Sequence, residues 1–104
     1  MANQFGERIR QLREENRLLL RQVAGHLNMD TPMLSKIERG ERKAKKEQVP
    51  LFAKLLKTGA DELLTLWLAD QLVEVVEGES LGLKAIQMAE DEVKYHSKKR
   101  TRKS

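Results

Sequence analysis

The sequence predicts an all-α fold: five short helices packed as one domain, followed by a helical extension. Three observations predict it. Apolar residues recur three and four positions apart along most of the 104-residue chain, the signature of helices with one buried face. Strand signals are nearly absent, since only 4% of the chain is aromatic and β-branched residues do not alternate with polar ones. Residues that start and stop helices, among them Asn28, Asp30, Gly40 and Gly59, stand between the periodic stretches.

Each element follows from its local pattern. Phe5, Ile9 and Leu12 lie four and three apart and predict a first helix from Phe5 to Asn16. Leu20, Val23, Ala24 and Leu27 share a face of a second helix over Leu18 to Leu27, and Asn28 tolerates the left-handed backbone that ends a helix sharply. Asp30 is suited to cap a third helix, with Thr31 and Pro32 in its first turn and a stop at Gly40. A basic connector, Glu41 to Lys46, leads to a fourth helix ending near Lys57. Pro50 requires that helix to begin only a few residues before it, because an interior proline costs about 3 kcal/mol.

Thr58-Gly59 closes the fourth helix and Asp61 is placed to cap a fifth, whose apolar signal continues from Leu63 to Val76 and ends at Glu77. Gly78 and Gly82 bracket a break, with Ser80 available as a cap. A sixth helix over Leu81 to Ser97 puts Leu83, Ile86, Met88 or Ala89, and Val93 on one stripe. The expected organisation is a domain over residues 1–68, a helical extension over 69–97 and a basic disordered tail over 98–104. There is no internal repeat.

Charge is unevenly distributed. Residues 1–46 carry eleven Lys/Arg against six Asp/Glu, residues 47–97 carry four against ten, and residues 98–104 carry five and none. A basic front suits a polyanion, and an acidic middle suits another task. The basic end has three readings: a solvated terminus, a nonspecific phosphate arm or a localisation signal.

Composition also excludes chemistry. The absence of cysteine removes disulfides, thiol catalysis and thiolate metal sites. No apolar run reaches the length of a membrane span or a secretory signal, so a soluble, cytoplasmic protein of bacterial style is expected, with no membrane partner. His26 and His96 are seventy positions apart and match no metal-ligand spacing, and Glu90-Asp91-Glu92 points in different directions around a helix. Without a phosphate-binding glycine loop either, no enzyme activity, cofactor or metal is expected.

The second and third helices, separated by a short turn, have the arrangement of a helix-turn-helix. Ile9-Arg10-Gln11-Leu12-Arg13-Glu14-Glu15-Asn16, Val23-Ala24-Gly25-His26-Leu27 and Met33-Leu34-Ser35-Lys36-Ile37-Glu38-Arg39-Gly40-Glu41-Arg42 resemble the phage repressor/Cro and xenobiotic-response-element (XRE) family of DNA-binding domains. The resemblance covers residues 5 to 68. It implies a nucleoid-associated transcription regulator, with the third helix in the major groove of double-stranded DNA.

The resemblance also pairs Arg13 with Glu38, an ion pair of small to moderate value if partly exposed. It places Thr31, Pro32, Met33, Ser35 and Lys36 toward base edges. Lys36 would donate to guanine O6 or N7, Thr31 or Ser35 to a base or phosphate, and Met33 would touch a thymine methyl. The alternative for Lys36 is a phosphate contact or ordinary solvation. Arg21, Gln22, Arg39, Arg42 and Lys43 are the expected phosphate contacts.

The sequence departs from the family pattern in three places. Leu19 and Leu20 stand where Ser or Thr followed by Gln is usual, Asn28 replaces a turn glycine, and Pro32 replaces a polar base reader. The middle of the chain supplies an apolar surface for a homodimer, through Trp67, Leu68, Leu72, Val75, Val76, Leu83, Ile86 and Val93, unless the sixth helix packs back on its own domain. The expected function is therefore a dimeric repressor on a palindromic operator, or the narrower roles of autoregulator, restriction-modification controller or antitoxin. The alternative is a protein-interaction adaptor whose acidic helices bind a partner, with DNA secondary.

Overall fold

The computed structural model describes residues 2–103, with side chains through Ser97. Among these residues the regular structure is helical and includes no strand: α1 Gln4–Glu15, α2 Leu20–His26, α3 Thr31–Glu38, a 3-10 turn Lys46–Gln48, α4 Val49–Leu55, α5 Ala60–Val76 and α6 Gly82–Lys103. It divides into two compact units, one ending at Gln71 and the other beginning at Leu72, so the division falls within α5.

The first unit is built around the apolar faces that the periodicity predicts. Phe5, Ile9 and Leu12 of α1 meet Val23, Ala24 and Leu27 from the α2 region, Leu34 and Ile37 of α3, and Val49, Phe52 and Leu56 from the α4 region. Leu63 of α5 completes the core. Phe5 and Phe52 contact edge to face, their ring centres 5.7 Å apart, an arrangement that aromatic quadrupoles favour. Small Ala24, 2% exposed, lets α2 and α3 approach closely.

Four helices in succession end in one way. After α1, α2, α3 and α4 a residue adopts positive φ: Arg17, Asn28, Gly40 and Lys57. The next backbone N–H then reaches back across the last turn: Leu18 to Arg13 O, Met29 to Ala24 O, Glu41 to Lys36 O and Thr58 to Ala53 O, all within 3.0 Å. This bond satisfies a carbonyl that the helix would otherwise leave orphaned. Asn28 and Gly40 are the residue types expected there. Arg17 and Lys57 are not, and each bears the cost of a left-handed conformation, of order 1 kcal/mol.

Several boundaries differ from those the sequence predicts. Leu18 and Leu19 precede α2 rather than opening it, Leu19 being extended after the reversal at Arg17. The fourth helix begins at Val49, directly before Pro50, so the ring sits in the first turn where it displaces no hydrogen bond. Asp61 lies inside the first turn of α5, where its charge complements the helix dipole, and the cap position belongs to Gly59. Leu81, not Ser80, precedes α6. The backbone of α6 is helical through Lys103, whereas a disordered tail is expected from residue 98. The side chains of residues 98–104 lie outside the described residues.

One long-range cap is invisible to local pattern. Asn3, at the N-cap of α1, makes no capping bond with its side chain. Instead Asp70, from the far part of α5, accepts hydrogen bonds from the backbone N–H groups of Gln4 and Phe5, both 2.9 Å. Its carboxylate satisfies two free donors at the positive end of the α1 dipole. Replacing Asp70 with Ala is expected to destabilise the chain by about 1–2 kcal/mol in urea unfolding. An unchanged midpoint would show that the contact contributes nothing.

In the second unit Gly82 is buried against Val76: a β-carbon there would lie 3.1 Å from both the Val76 side chain and its carbonyl oxygen. Every residue from 83 to 97 is exposed. Leu83, Met88 and Val93 are each at least 65% exposed, so the apolar stripe read along α6 is not covered by other described residues of the second unit.

Candidate nucleic-acid interface

About two turns of helix give α3 two faces of opposite character. Leu34, Ile37 and Glu38 are buried, while Thr31, Pro32 and Lys36 are exposed and Ser35 is half-buried. Positions 31, 32, 35, 36 and 39 fall on one side because i, i+4 and i+8 neighbours stack along a helix. The expected base-reading residues are thus brought together on the outer face, except for Met33, which is half-buried and packs against the core. Asp30 caps this helix, its carboxylate accepting from Met33 N–H at 2.8 Å.

The entry to α2 shows what replaces the missing polar cap. Leu19 cannot accept a hydrogen bond, so the N–H of Leu19 is satisfied from the other direction by Gln22 Oε1 at 2.7 Å. This is half of a capping box. Gln22 thereby has a structural task beside any contact with DNA. Arg21 is exposed, as is Leu19, an unusual apolar group beside a polar surface.

The inner edge of α3 is held by a buried ion pair. Arg13 Nε and Nη2 donate to the two carboxylate oxygens of Glu38 at 2.7 and 3.1 Å, and Arg13 Nη1 donates to Leu18 O at 3.0 Å. The side chains are only 13% and 6% exposed, well beyond the partial exposure that would make the pair weak. The Arg13 pKa is raised chiefly by its hydrogen bond to Glu38, so the guanidinium is firmly charged.

The same end of α3 is fastened to α1 by small groups. Asn3 Nδ2 donates to Glu38 O at 2.9 Å. Gly6 is buried on α1, and a β-carbon there would lie 2.5 Å from Ile37 O and 2.7 Å from Glu38 O. Neither Asn3 nor Gly6 stands out in the periodic pattern. A glycine inside an otherwise regular helix was the available signal, since it lowers helix propensity and therefore needs a packing reason.

The expected phosphate contacts have distinct surroundings. Arg42 is exposed. Lys43 donates to Gln71 Oε1 at 3.3 Å and stands 6.0 Å from the Trp67 ring centre. Arg39 is paired: its Nε donates to Glu41 Oε2 at 2.6 Å and its Nη1 to Ser35 Oγ at 2.7 Å. Its own hydrogen bond and charge hold the Glu41 carboxyl below the ordinary carboxylate range, with nearby Lys36 adding to the effect.

The residues expected at a dimer interface are not equivalent. Trp67 is half-buried against the core of its own unit and its indole N–H donates to Ala44 O at 2.7 Å. Leu68, Leu72, Val75, Leu83, Ile86 and Val93 are exposed, and Val76 is half-buried. His26 is exposed on α2 and His96 lies 3.5 Å from Glu92 one turn away on α6. Among the described residues no cluster of His, Asp or Glu could hold a metal ion, and no helix is long and apolar enough to cross a membrane.

A family model described as a helix-turn-helix domain matches residues 4–66, more than half of the chain and all of the elements from α1 to the first turns of α5. No match was found among curated proteins or among solved structures.

Proposed function

The chain belongs to the helix-turn-helix domain family, and from that premise we propose that it is a dimeric transcription regulator, most simply a repressor that occupies a palindromic operator in double-stranded DNA. The observation that carries the reading is the two-sided character of α3: Leu34 and Ile37 anchor it while Thr31, Pro32, Ser35 and Lys36 share its outer face. The major groove admits one such helix. Lys36 reads guanine O6 or N7, and Thr31 and Ser35 supply hydroxyl contacts to bases or phosphates. Because Arg39 already donates to Ser35 Oγ, that hydroxyl keeps its own proton for donation to an acceptor on the DNA. Arg21, Arg42 and the amide of Gln22 contact phosphates.

One small domain on one half-site buries too little area for high specificity, so two copies read sites about one helical turn apart. The exposed Leu72, Val75, Leu83 and Val93 support pairing through the second unit. The same residues would serve an adaptor bound to another protein. A solution mass of two chains at micromolar concentration favours the dimer, and a mass of one chain favours the adaptor.

The test is fluorescence anisotropy with a duplex selected from a random pool and a scrambled control, at low and near-physiological salt. A preference of about 10³-fold or more that persists as salt rises is expected. Lys36→Ala should weaken binding to the selected duplex by about 10–100-fold while barely changing the scrambled one. Equal, salt-sensitive binding to both duplexes would overturn the reading.

A further inference from the structure

We propose that Glu41 is an internal surrogate for a DNA phosphate: it occupies the Arg39 guanidinium in the free chain and must be displaced before Arg39 can clamp the DNA backbone. The inference rests on the reading that α3 docks on DNA. Arg39 presents Nε and Nη2 to the two carboxylate oxygens of Glu41, at 2.6 and 3.5 Å, while Nη1 is spent on Ser35 Oγ. Phosphate and carboxylate offer the same paired acceptors to this fork, so they compete for one set of donors. The pair is open to that competition, its side chains being 54% and 50% exposed. It also sits beside the proposed reading residues, because Arg39 directly follows α3 and contacts Ser35 on the outer face.

Two consequences follow. The cations released on binding come from the DNA, and an Arg39 that brings the Glu41 charge with it adds no net positive charge to displace them, so Glu41 flattens the salt dependence of binding. The displaced carboxylate also stays near the DNA as a repelling charge, since Glu41 lies only two positions from Arg39. Glu41 thus sets how strongly the face of α3 holds duplex of any sequence, while base discrimination belongs to Lys36 and its neighbours.

The experiment is a double-mutant cycle on the full chain, with E41Q, R39Q and the double variant, titrated onto selected and scrambled duplexes across a salt series. Thermal melts check that all variants fold, as expected for exposed positions. E41Q is expected to tighten binding about 3–10-fold on both duplexes at low salt. It should also steepen the log-log salt slope by about 0.9 per bound copy. In the R39Q background the gain from E41Q should shrink at least threefold. An equal gain in both backgrounds would mean that Glu41 acts only through the general field, and no gain in either would mean that it does not compete. Either result overturns the inference while leaving the DNA-binding reading intact. Failure of the unmodified chain to bind any duplex would overturn that reading and this inference with it.

Discussion

Replacing Arg13 with Ala is expected to lower the unfolding free energy by about 3–5 kcal/mol, a large share of the roughly 5–15 kcal/mol that holds a small domain folded. The reason lies in what remains behind. Glu38 is 7% exposed as a residue, and without the Arg13 fork its carboxylate is left in the packed interior without its bidentate partner. Leu18 O loses its donor at the same time. The pair itself need not stabilise the chain relative to an apolar replacement, because desolvating two charges offsets much of their attraction. Arg13→Met combined with Glu38→Leu should therefore recover most of the loss. Urea unfolding monitored at Trp67 reads both outcomes. A single-variant loss below about 1 kcal/mol would show that the pair is solvated in practice and behaves like a surface bridge.

The functional consequence of that variant follows from position. Glu38 is the last residue of α3, so Arg13 ties the first helix to the end of the proposed reading helix. DNA affinity should fall in the Arg13→Ala variant even under conditions where most of the chain remains folded. Because the pair is buried, added salt should screen it little.

Gly6→Ala is expected to destabilise the chain by about 3 kcal/mol, opposite in sign to the gain of about 1 kcal/mol that helix propensity predicts for the same change. A methyl group at this position would meet the carbonyl oxygens of Ile37 and Glu38 at 2.5 and 2.7 Å, closer than real contacts allow, along with the Asn3 side chain. Asn3 can rotate away, but the two carbonyls belong to the backbone at the end of α3 and cannot yield without moving the helix. Thermal unfolding distinguishes the two effects by sign. A raised melting temperature would show that α1 and α3 slide apart freely and that the close approach is not needed.

Much of the first unit is legible in the linear pattern. Ile9, Leu12, Val23, Leu27, Leu34 and Ile37 are periodic in sequence and buried in the fold, because a helix brings every third and fourth residue onto one face. Asp30, Asn28 and Gly40 mark their boundaries correctly, since capping and positive φ depend on a residue's own chemistry and its nearest neighbours. The outer face of α3 was likewise readable, and the pairing of Arg13 with Glu38 follows from the family resemblance.

Other features depend on packing and on the path of the backbone, which spacing along the chain does not specify. Arg17 and Lys57 take left-handed conformations that nothing about arginine or lysine predicts; beside them Leu18 packs against the core and Leu56 is buried in it. Arg39 has the charge of a phosphate clamp, yet its hydrogen bonds to Ser35 and Glu41 become visible only when α3 and the following turn take their places. The apolar residues of α6 form a periodic stripe in sequence, but periodicity does not distinguish a face covered by its own chain from one left exposed.

By itself, then, the sequence determined the helices, the buried face of each and the candidate reading surface on α3, because these depend on spacing along the chain and on local chemistry. Only the tertiary structure decided that Asp70 caps α1, that Gly6 lets α1 approach α3 and that the Arg13–Glu38 pair is buried. Each of these is a matter of distance and solvent exclusion between helices. Helical spacing specifies which side of a helix is apolar, but the atoms opposite that side are specified only once the helices are packed.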